Sequence, residues 1–274
     1  MNHGIIPYVG GKHRLANRLG ILLKATGADT MVDIFGGSAA VLLASGFTKR
    51  VYNDKDGDLV NLFRVLAEPV MRRALVDRLT WTPPSRKLFE DFYVTYRAHG
   101  FSFKGIMDPV QRAAATFYRH HFSFGGKVRC GGFSVSDLDC YQIKEVGRYN
   151  NAMAKIERVG EFFRHTMIEC LDYMDIISTY GDRQGVVLFA DPPYIGTENY
   201  YSVEFTPQDH VFLAHALATC QAHVVVTYYD CDRIRDLYPA NLWERKILNA
   251  TPNSQFRSGT KNKTEETVLI KRMV

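Results

Sequence analysis

The chain has 274 residues, 46% of them hydrophobic and 23% charged, with a net charge of +5; this balance excludes a disordered or fibrous polypeptide and suits one large domain, or a core domain with an insert. Its uncharged apolar runs, such as residues 185–190 and 224–229, fall far short of the roughly 20 residues that span a bilayer, and the amino-terminal residues lack a secretory signal pattern. Five cysteines, an odd number with no C-x-x-C pair, argue against a disulfide framework or a zinc site and point to a reducing cytoplasm.

Pro7-Tyr8-Val9-Gly10-Gly11-Lys12 opens the chain's motifs. It looks like a phosphate loop but lacks the G-x-x-x-x-G-K-[ST] spacing, and His13 follows Lys12, so an NTPase is excluded. Residues 30–35 read as a strand, Phe35-Gly36-Gly37-Ser38-Ala39 as a turn, and residues 40–44 as the start of a helix; this is the opening of an open α/β unit. A second strand over residues 50–54 ends on Asn53-Asp54, and Leu59, Leu62, Phe63 and Leu66 then recur at helical spacing.

The texture changes over residues 67–150, which read as a mostly helical insert. Residues 61–150 hold 14 Lys/Arg against 8 Asp/Glu, so all the excess positive charge sits in the middle third. A basic insert in an otherwise balanced chain suggests a polyanion, most simply nucleic acid. Phe89, Phe92, Tyr93 and Tyr96 have helical spacing and are expected in the core of the insert. Gly125-Gly126 and Gly131-Gly132 mark a basic loop or hairpin. His120-His121 reads as a loop pair or a DNA-backbone contact, not a metal site, since no carboxylate or cysteine stands at ligand spacing.

From residue 151 a helix leads toward Ile168-Glu169, and strand–helix alternation returns. Residues 185–191 form a buried-strand pattern stopped by Pro192-Pro193. Residues 210–217 read as a helix, 223–227 as another buried strand and 267–270 as a last one. Continuous apolar strands between helices imply a sheet covered on both faces.

Asp191-Pro192-Pro193-Tyr194 carries the strongest chemical signal. Two prolines cannot donate ladder hydrogen bonds, so they end the strand and stiffen the loop. The loop holds a carboxylate and an aromatic ring at the carboxyl end of a strand, where open α/β folds bind ligands. Such a pair suits an exocyclic amine: Asp191 and a proline-loop carbonyl accept its two hydrogens and turn the lone pair toward an electrophile. Tyr194 stacks on the base face, a contact worth roughly 1–3 kcal/mol. The glycine turn lets a ligand approach the backbone above a helix N-terminus. Asp54 follows Asp33 by 21 residues, close to the roughly 20 at which an acid reaches ribose hydroxyls in nucleotide-binding units. The third glycine expected for a pyrophosphate is absent, so a cofactor with a ribose and no phosphate, such as S-adenosylmethionine, fits better. Asp33, Phe35, Gly36, Gly37, Ser38 and Asp54 form the candidate cofactor set, and Asp191 belongs to both sets.

The order G-G-K, F-G-G, Asn53-Asp54, basic insert and D-P-P-Y resembles the Dam-type DNA adenine-N6 methyltransferases, especially phage and prophage members. The resemblance implies a Rossmann-like class I methyltransferase sheet built from residues 1–66 and 151–274, with a target-recognition insert at 67–150. It implies cofactor contacts at Tyr8 and Lys12, a ribose-binding acid at Asp54, and catalysis at Asp191, Pro192, Pro193 and Tyr194. It also implies methyl transfer from S-adenosylmethionine to N6 of an adenine flipped out of double-stranded DNA, with no metal. Phosphate contacts are expected from Arg112, Arg119, Lys127 and Arg129, around a base-reading hairpin near residues 119–129. Lys261 and Lys263 are either further phosphate contacts or a solvated tail loop. Ala39 replaces the last glycine of the family's F-x-G-x-G, and Tyr8 replaces a frequent Trp. RNA, cytosine N4 or a protein amide as acceptor, or a silent DNA-binding protein, are the competing readings.

Overall fold

The computed structural model of the chain describes residues 4–126, 131–134, 144–201, 203–249 and 265–272. Its elements begin with α1 (Ala16–Lys24), β1 (Thr30–Asp33), α2 (Ala40–Ala44), β2 (Lys49–Asn53) and α3 (Gly57–Ala67). The middle segment supplies α4 (Pro69–Thr80), α5 (Arg86–Ala98), α6 (Pro109–Phe122) and α7 (Lys144–Met153). There follow α8 (Ile156–Arg164), β3 (Met167–Glu169), α9 (Tyr173–Tyr180), β4 (Val186–Ala190) and α10 (Pro207–Thr219). The last elements are β5 (His223–Tyr229), α11 (Asp232–Leu237), β6 (Trp243–Asn249) and β7 (Glu265–Lys271).

The strands form a seven-stranded sheet in the order β3-β2-β1-β4-β5-β7-β6, a Rossmann-like arrangement. β1 pairs in parallel with β2 and β4, and β4 with β5. β7 inserts antiparallel between β5 and β6. Its β-branched runs suit a sheet buried on both faces, and residues alternate between them. Met31, Val187, Val225 and Val268 pack on one side, against α1, α3 and α6; Val32, Leu188, Val224 and Leu269 pack on the other, with Ile176 and Leu213. The core on the first side continues into the middle segment through Leu75, Leu79, Phe89, Phe117, Tyr118 and Tyr149. Of the aromatic group in α5, Phe89 and Tyr96 are buried. The helix expected from residue 151 is two helices, α7 and α8, divided near Ala154-Lys155. The sequence reading did not identify α1, β3 or β6.

Local chemistry sets the helix starts that face the ligand end of the sheet. Asp56 caps α3 by accepting from the amides of Asp58 and Leu59, which satisfies donors the first turn leaves free. Thr206 and Asp209 form a capping box on α10, with Pro207 in its first turn. The chain runs outward in both directions from the β1–β4 pair, so the carboxyl ends of these strands open onto a crevice. Register brings Asp33 beside Tyr52 on one side and Phe189 on the other, which puts the ends of β1, β2 and β4 at one level.

Candidate active site

Asp191 leaves the fully buried strand β4 at the point where Pro192 and Pro193 end the ladder. Its Oδ1 accepts from Thr227 Oγ1 at 2.6 Å, on the neighbouring strand β5. The same oxygen lies 2.8 Å from Lys12 Nζ. Among the described residues nothing else donates to Oδ2, so two donors fix one oxygen and leave the other to a ligand. Lys12 also donates to the carbonyl of Gly10 at 2.8 Å and lies 3.7 Å from Glu266 Oε1, on β7. Burial works against the Lys12 charge, but Asp191 and Glu266 outweigh it and hold the ammonium above its ordinary range. Burial pushes Glu266 up to about 7, with Lys12 opposing and Asp191 reinforcing.

Two cavities meet beside this carboxylate. One, of about 370 Å³, is walled by Lys12, Asp33, Gly36, Gly37, Ser38 and Asp191 among others. The other, of about 700 Å³ including space open to solvent, runs along Asp54, Lys55, Leu171, Asp172 and Pro193. Tyr8, Phe35, Asp191 and Tyr201 line both.

The second acid is held by backbone. Asp54 accepts from the amide of Gly37 through Oδ2 and from the amide of Asp56 through Oδ1, each at 2.8 Å. Burial, with Asp56 adding, raises Asp54 to about 7 despite these two bonds. Asn53 pins the end of β2 by donating to the carbonyls of Ile34 and Leu171 and accepting from the Leu171 amide. Burial and then the neighbouring Asp191 and Asp54 raise Asp33 well above the carboxylate range. Its buried Oδ1 has no hydrogen-bond partner among the described residues.

The glycine turn is tight on both glycines. A Cβ on Gly36 would lie 2.2 Å from Tyr52 Cε2, and one on Gly37 2.8 Å from Tyr8 Cε1. Gly37 has φ +47° and Ala39 φ +56°, so the alanine adopts the left-handed conformation that a glycine would take there. Gly37→Ala is expected to lower stability by about 1–2 kcal/mol through left-handed strain. It should also displace the Tyr8 ring, read as a lower melting temperature together with a raised KM for the methyl donor.

Tyr194 departs from expectation. Its side chain is 6% exposed and it lines neither cavity. Lys12 Nζ lies 4.7 Å from its ring centroid. Tyr229 meets it edge-on at 4.5 Å, and Tyr228 lies tilted at 5.5 Å. A base stacking on Tyr194 therefore takes the place of one of these neighbours. Pro192 is buried beside it.

The expected DNA contacts divide. Lys127, Arg129, Lys261 and Lys263 lie outside the described residues. Arg112 is ion-paired with Asp58 of α3, so it joins α6 to the core instead of standing free for phosphate. Arg119 is corrected from a surface contact to an interior one: α6 runs past it to Phe122, it is 2% exposed, and its guanidinium lies 3.5 Å from the Tyr96 ring centroid. Arg119→Glu should cost about 3–5 kcal/mol of stability by burying an uncompensated charge, seen as a collapse in melting temperature. His120 and His121 are likewise buried in α6. His121 Nε2 reaches the Ile5 carbonyl at 2.8 Å and His120 Nδ1 the Pro7 carbonyl at 3.1 Å.

Thr227, Glu266 and Tyr201 escaped the sequence reading, and His120, read as a loop residue or DNA-backbone contact, lies buried in α6 instead. Thr227 has a signal, since Ala190 pairs with Val226 and a hydroxyl one residue on must face Asp191. Glu266 has none, because its position depends on β7 entering the sheet beside β5. Among the described residues no group of three or more His, Cys, Asp or Glu is arranged to hold a metal ion.

Comparison with known proteins agrees with this geometry. The family profile described as D12 class N6 adenine-specific DNA methyltransferase matches residues 8–251, most of the chain. The DNA adenine methylase of Salmonella typhimurium is 22% identical over 284 residues, covering 98% of this chain and 95% of that protein. The DNA N-6-adenine-methyltransferase of Escherichia phage P1 is 24% identical over 254 residues, covering 85% of this chain and 31% of its own length. The retron Ec67 DNA adenine methylase of Escherichia coli is 25% identical over 247 residues, covering 85% of this chain and 80% of that protein. A carboxylate at the end of β4, a glycine turn after β1 and a profile match across both join one conclusion: the chain belongs to the D12 class of N6 adenine-specific DNA methyltransferases.

Proposed function

We propose that the protein transfers a methyl group from S-adenosylmethionine to N6 of an adenine flipped out of double-stranded DNA. The observation that carries this reading is the half-occupied carboxylate of Asp191, with Oδ1 held by Thr227 and Lys12 and both cavities at its side. Oδ2 and a carbonyl of the proline loop accept the two amine hydrogens, which frees the N6 lone pair for in-line attack; as the nitrogen–methyl bond forms the sulfur–methyl bond would break, S-adenosylhomocysteine would leave, and the surplus N6 proton would pass to solvent. The reaction then needs positioning and electrostatics, with neither a metal nor a covalent enzyme intermediate.

The residues present fit the methyl donor. The orphaned carboxyl oxygen of Asp33 faces a need for a polar partner, and Asp33, Gly36, Gly37 and Ser38 line the same cavity. Bound S-adenosylmethionine supplies a methyl group already activated on a sulfonium. Asp54 accepts the ribose hydroxyls, Tyr8 and Phe35 cover the apolar faces, and Lys12 holds Asp191 in its orientation. Asp33, whose carboxyl burial raises well above the ordinary carboxylate range, offers its unpartnered oxygen from the wall of the smaller cavity. Pro192 and Pro193 keep Asp191 at the sheet's edge, and Tyr194 receives the base once its ring is uncovered.

Residues 67–150 serve as the target-recognition segment in this reading, and residues 1–66 and 151–274 as the catalytic one. Phosphate contacts come from Lys127 and Arg129, with Lys261 and Lys263 adding to them. The free thiols of Cys170, Cys220 and Cys231 suit a reducing cytoplasm. Among the described residues no helix is long and apolar enough to cross a membrane.

The test is transfer of tritiated methyl from S-adenosylmethionine to duplex DNA, followed by digestion to nucleosides. Label in N6-methyladenine supports the reading. Label in N4-methylcytosine, in RNA alone, or in neither nucleic acid overturns it.

A further inference from the structure

Tyr8 stands on both cavities, yet it lies in an amino-terminal segment that belongs to no helix or strand. A ring that bounds a ligand site needs support, and two contacts provide it. Gly37 lies so close that a Cβ there would sit 2.8 Å from Tyr8 Cε1. The imidazole of His120 stacks on the ring, with centroids 5.6 Å apart and planes 28° from parallel.

His120 is itself fixed. It lies in the last turn of α6 and is 2% exposed. Its Nδ1 is 3.1 Å from the carbonyl of Pro7, the residue before Tyr8. A carbonyl only accepts, so Nδ1 carries the proton in this contact. Burial, and then Arg119, push the imidazole down to about 3, so the ring is neutral when it meets Tyr8. The neighbouring His121 reaches the carbonyl of Ile5 at 2.8 Å. One helix end therefore grips the amino-terminal segment at both Ile5 and Pro7.

We propose that His120 is a positioning residue for the cofactor, holding the Tyr8 ring against Gly37 through its stacked imidazole and its hydrogen bond to Pro7. It touches neither cavity and acts only through Tyr8. α6 ends at Phe122, and two residues on the amide of Phe124 bonds the Gly132 carbonyl at 2.9 Å. The glycine-rich loop thus begins within about one helical turn of the support beneath Tyr8. The inference rests on the reading of the two cavities as the cofactor site.

A double-mutant cycle tests it, with S-adenosylhomocysteine binding measured by calorimetry. His120→Leu should weaken binding roughly tenfold in the natural background, through loss of the ring contact and the hydrogen bond. In a Tyr8→Ala background the same change should weaken it less than about twofold, because residues acting through one partner are not additive. His120→Asn, which keeps an N–H for the Pro7 carbonyl, should recover part of the loss and carries the cycle if His120→Leu does not fold. In turnover assays the effect should fall on KM for the methyl donor and spare kcat. Equal losses in both backgrounds, or an unchanged affinity in the first, overturn the role of His120 while leaving the cofactor reading intact. Natural protein that binds no S-adenosylhomocysteine overturns both.

Discussion

Asp191→Ala is expected to lower the rate of methyl transfer by on the order of 10³-fold, while the protein should still bind duplex DNA. In the proposed reaction the substitution removes the acceptor that turns the N6 lone pair outward. Of the other acids at the sheet's edge, burial holds the Asp33 carboxyl well above the carboxylate range, and Asp54 is tied to the amides of Gly37 and Asp56. The change also leaves Lys12 with Glu266 at 3.7 Å as its remaining charged partner, and a buried cation that loses its counter-charge is destabilising. Asp191→Asn removes the acceptor without emptying the site, because its amide oxygen still accepts from Thr227, although Lys12 loses the same counter-charge in both variants. Single-turnover rates beside melting temperatures distinguish lost chemistry from lost fold. Alanine protein that is folded and fully active would remove Asp191 from the reaction.

Asp54→Ala is expected to raise KM for S-adenosylmethionine, the proposed methyl donor, by roughly 10- to 100-fold, the range expected when hydrogen bonds to a charged group are lost. The effect should depend on pH. Ribose hydroxyls donate, so they bind best to the ionised carboxylate, and burial and the adjacent Asp56 raise Asp54 to about 7. Donor affinity should therefore rise as pH increases through about 7 and level off above it. Glu266 is also raised to about 7, but it faces Lys12 and Asp191 at the other end of the site. A step near pH 7 that disappears in Asp54→Ala and persists in Glu266→Gln assigns it to Asp54. The groups around Asp54 include the acid of Asp56 and the buried hydroxyls of Tyr8 and Tyr52, whose ionisation burial drives well above the ordinary tyrosine value. These phenols do not titrate in the same window. An unchanged KM with no pH step would take Asp54 out of the ribose contact.

The linkage to folding has the opposite sign. A carboxyl raised in the folded protein favours folding below its unfolded value, and that advantage disappears as pH climbs through the folded one. Asp54 and Glu266 therefore make the ligand-free protein less stable on going from mildly acid to neutral pH. Over the same interval donor binding strengthens, so the protein gives up stability where its site becomes ready for ligand.

Residues that act near their own backbone were legible in advance. The buried runs in β4 and β5 announce strands because parallel strands covered on both faces need apolar residues throughout. Pro192-Pro193 marks the end of β4 because proline cannot donate to the ladder. Asp54 and the glycine turn follow from spacing within one βαβ unit. Arg119 was misread for a physical reason: a charge count sees a guanidinium, whereas burial depends on Tyr96 arriving from another helix. His120 and His121 were misread as loop residues because their carbonyl partners lie at the far end of the chain.

The amino-acid order by itself determined the strand–turn–helix units, the carboxylate at the end of β4 and the family, since each is written in contiguous residues. Tertiary structure alone decided that Glu266 reaches Lys12, that Thr227 occupies one oxygen of Asp191 and that His120 supports Tyr8. Those contacts join separate elements, β4 with β5 and the amino-terminal segment with β7 and with α6, and their geometry exists only after these elements have packed together.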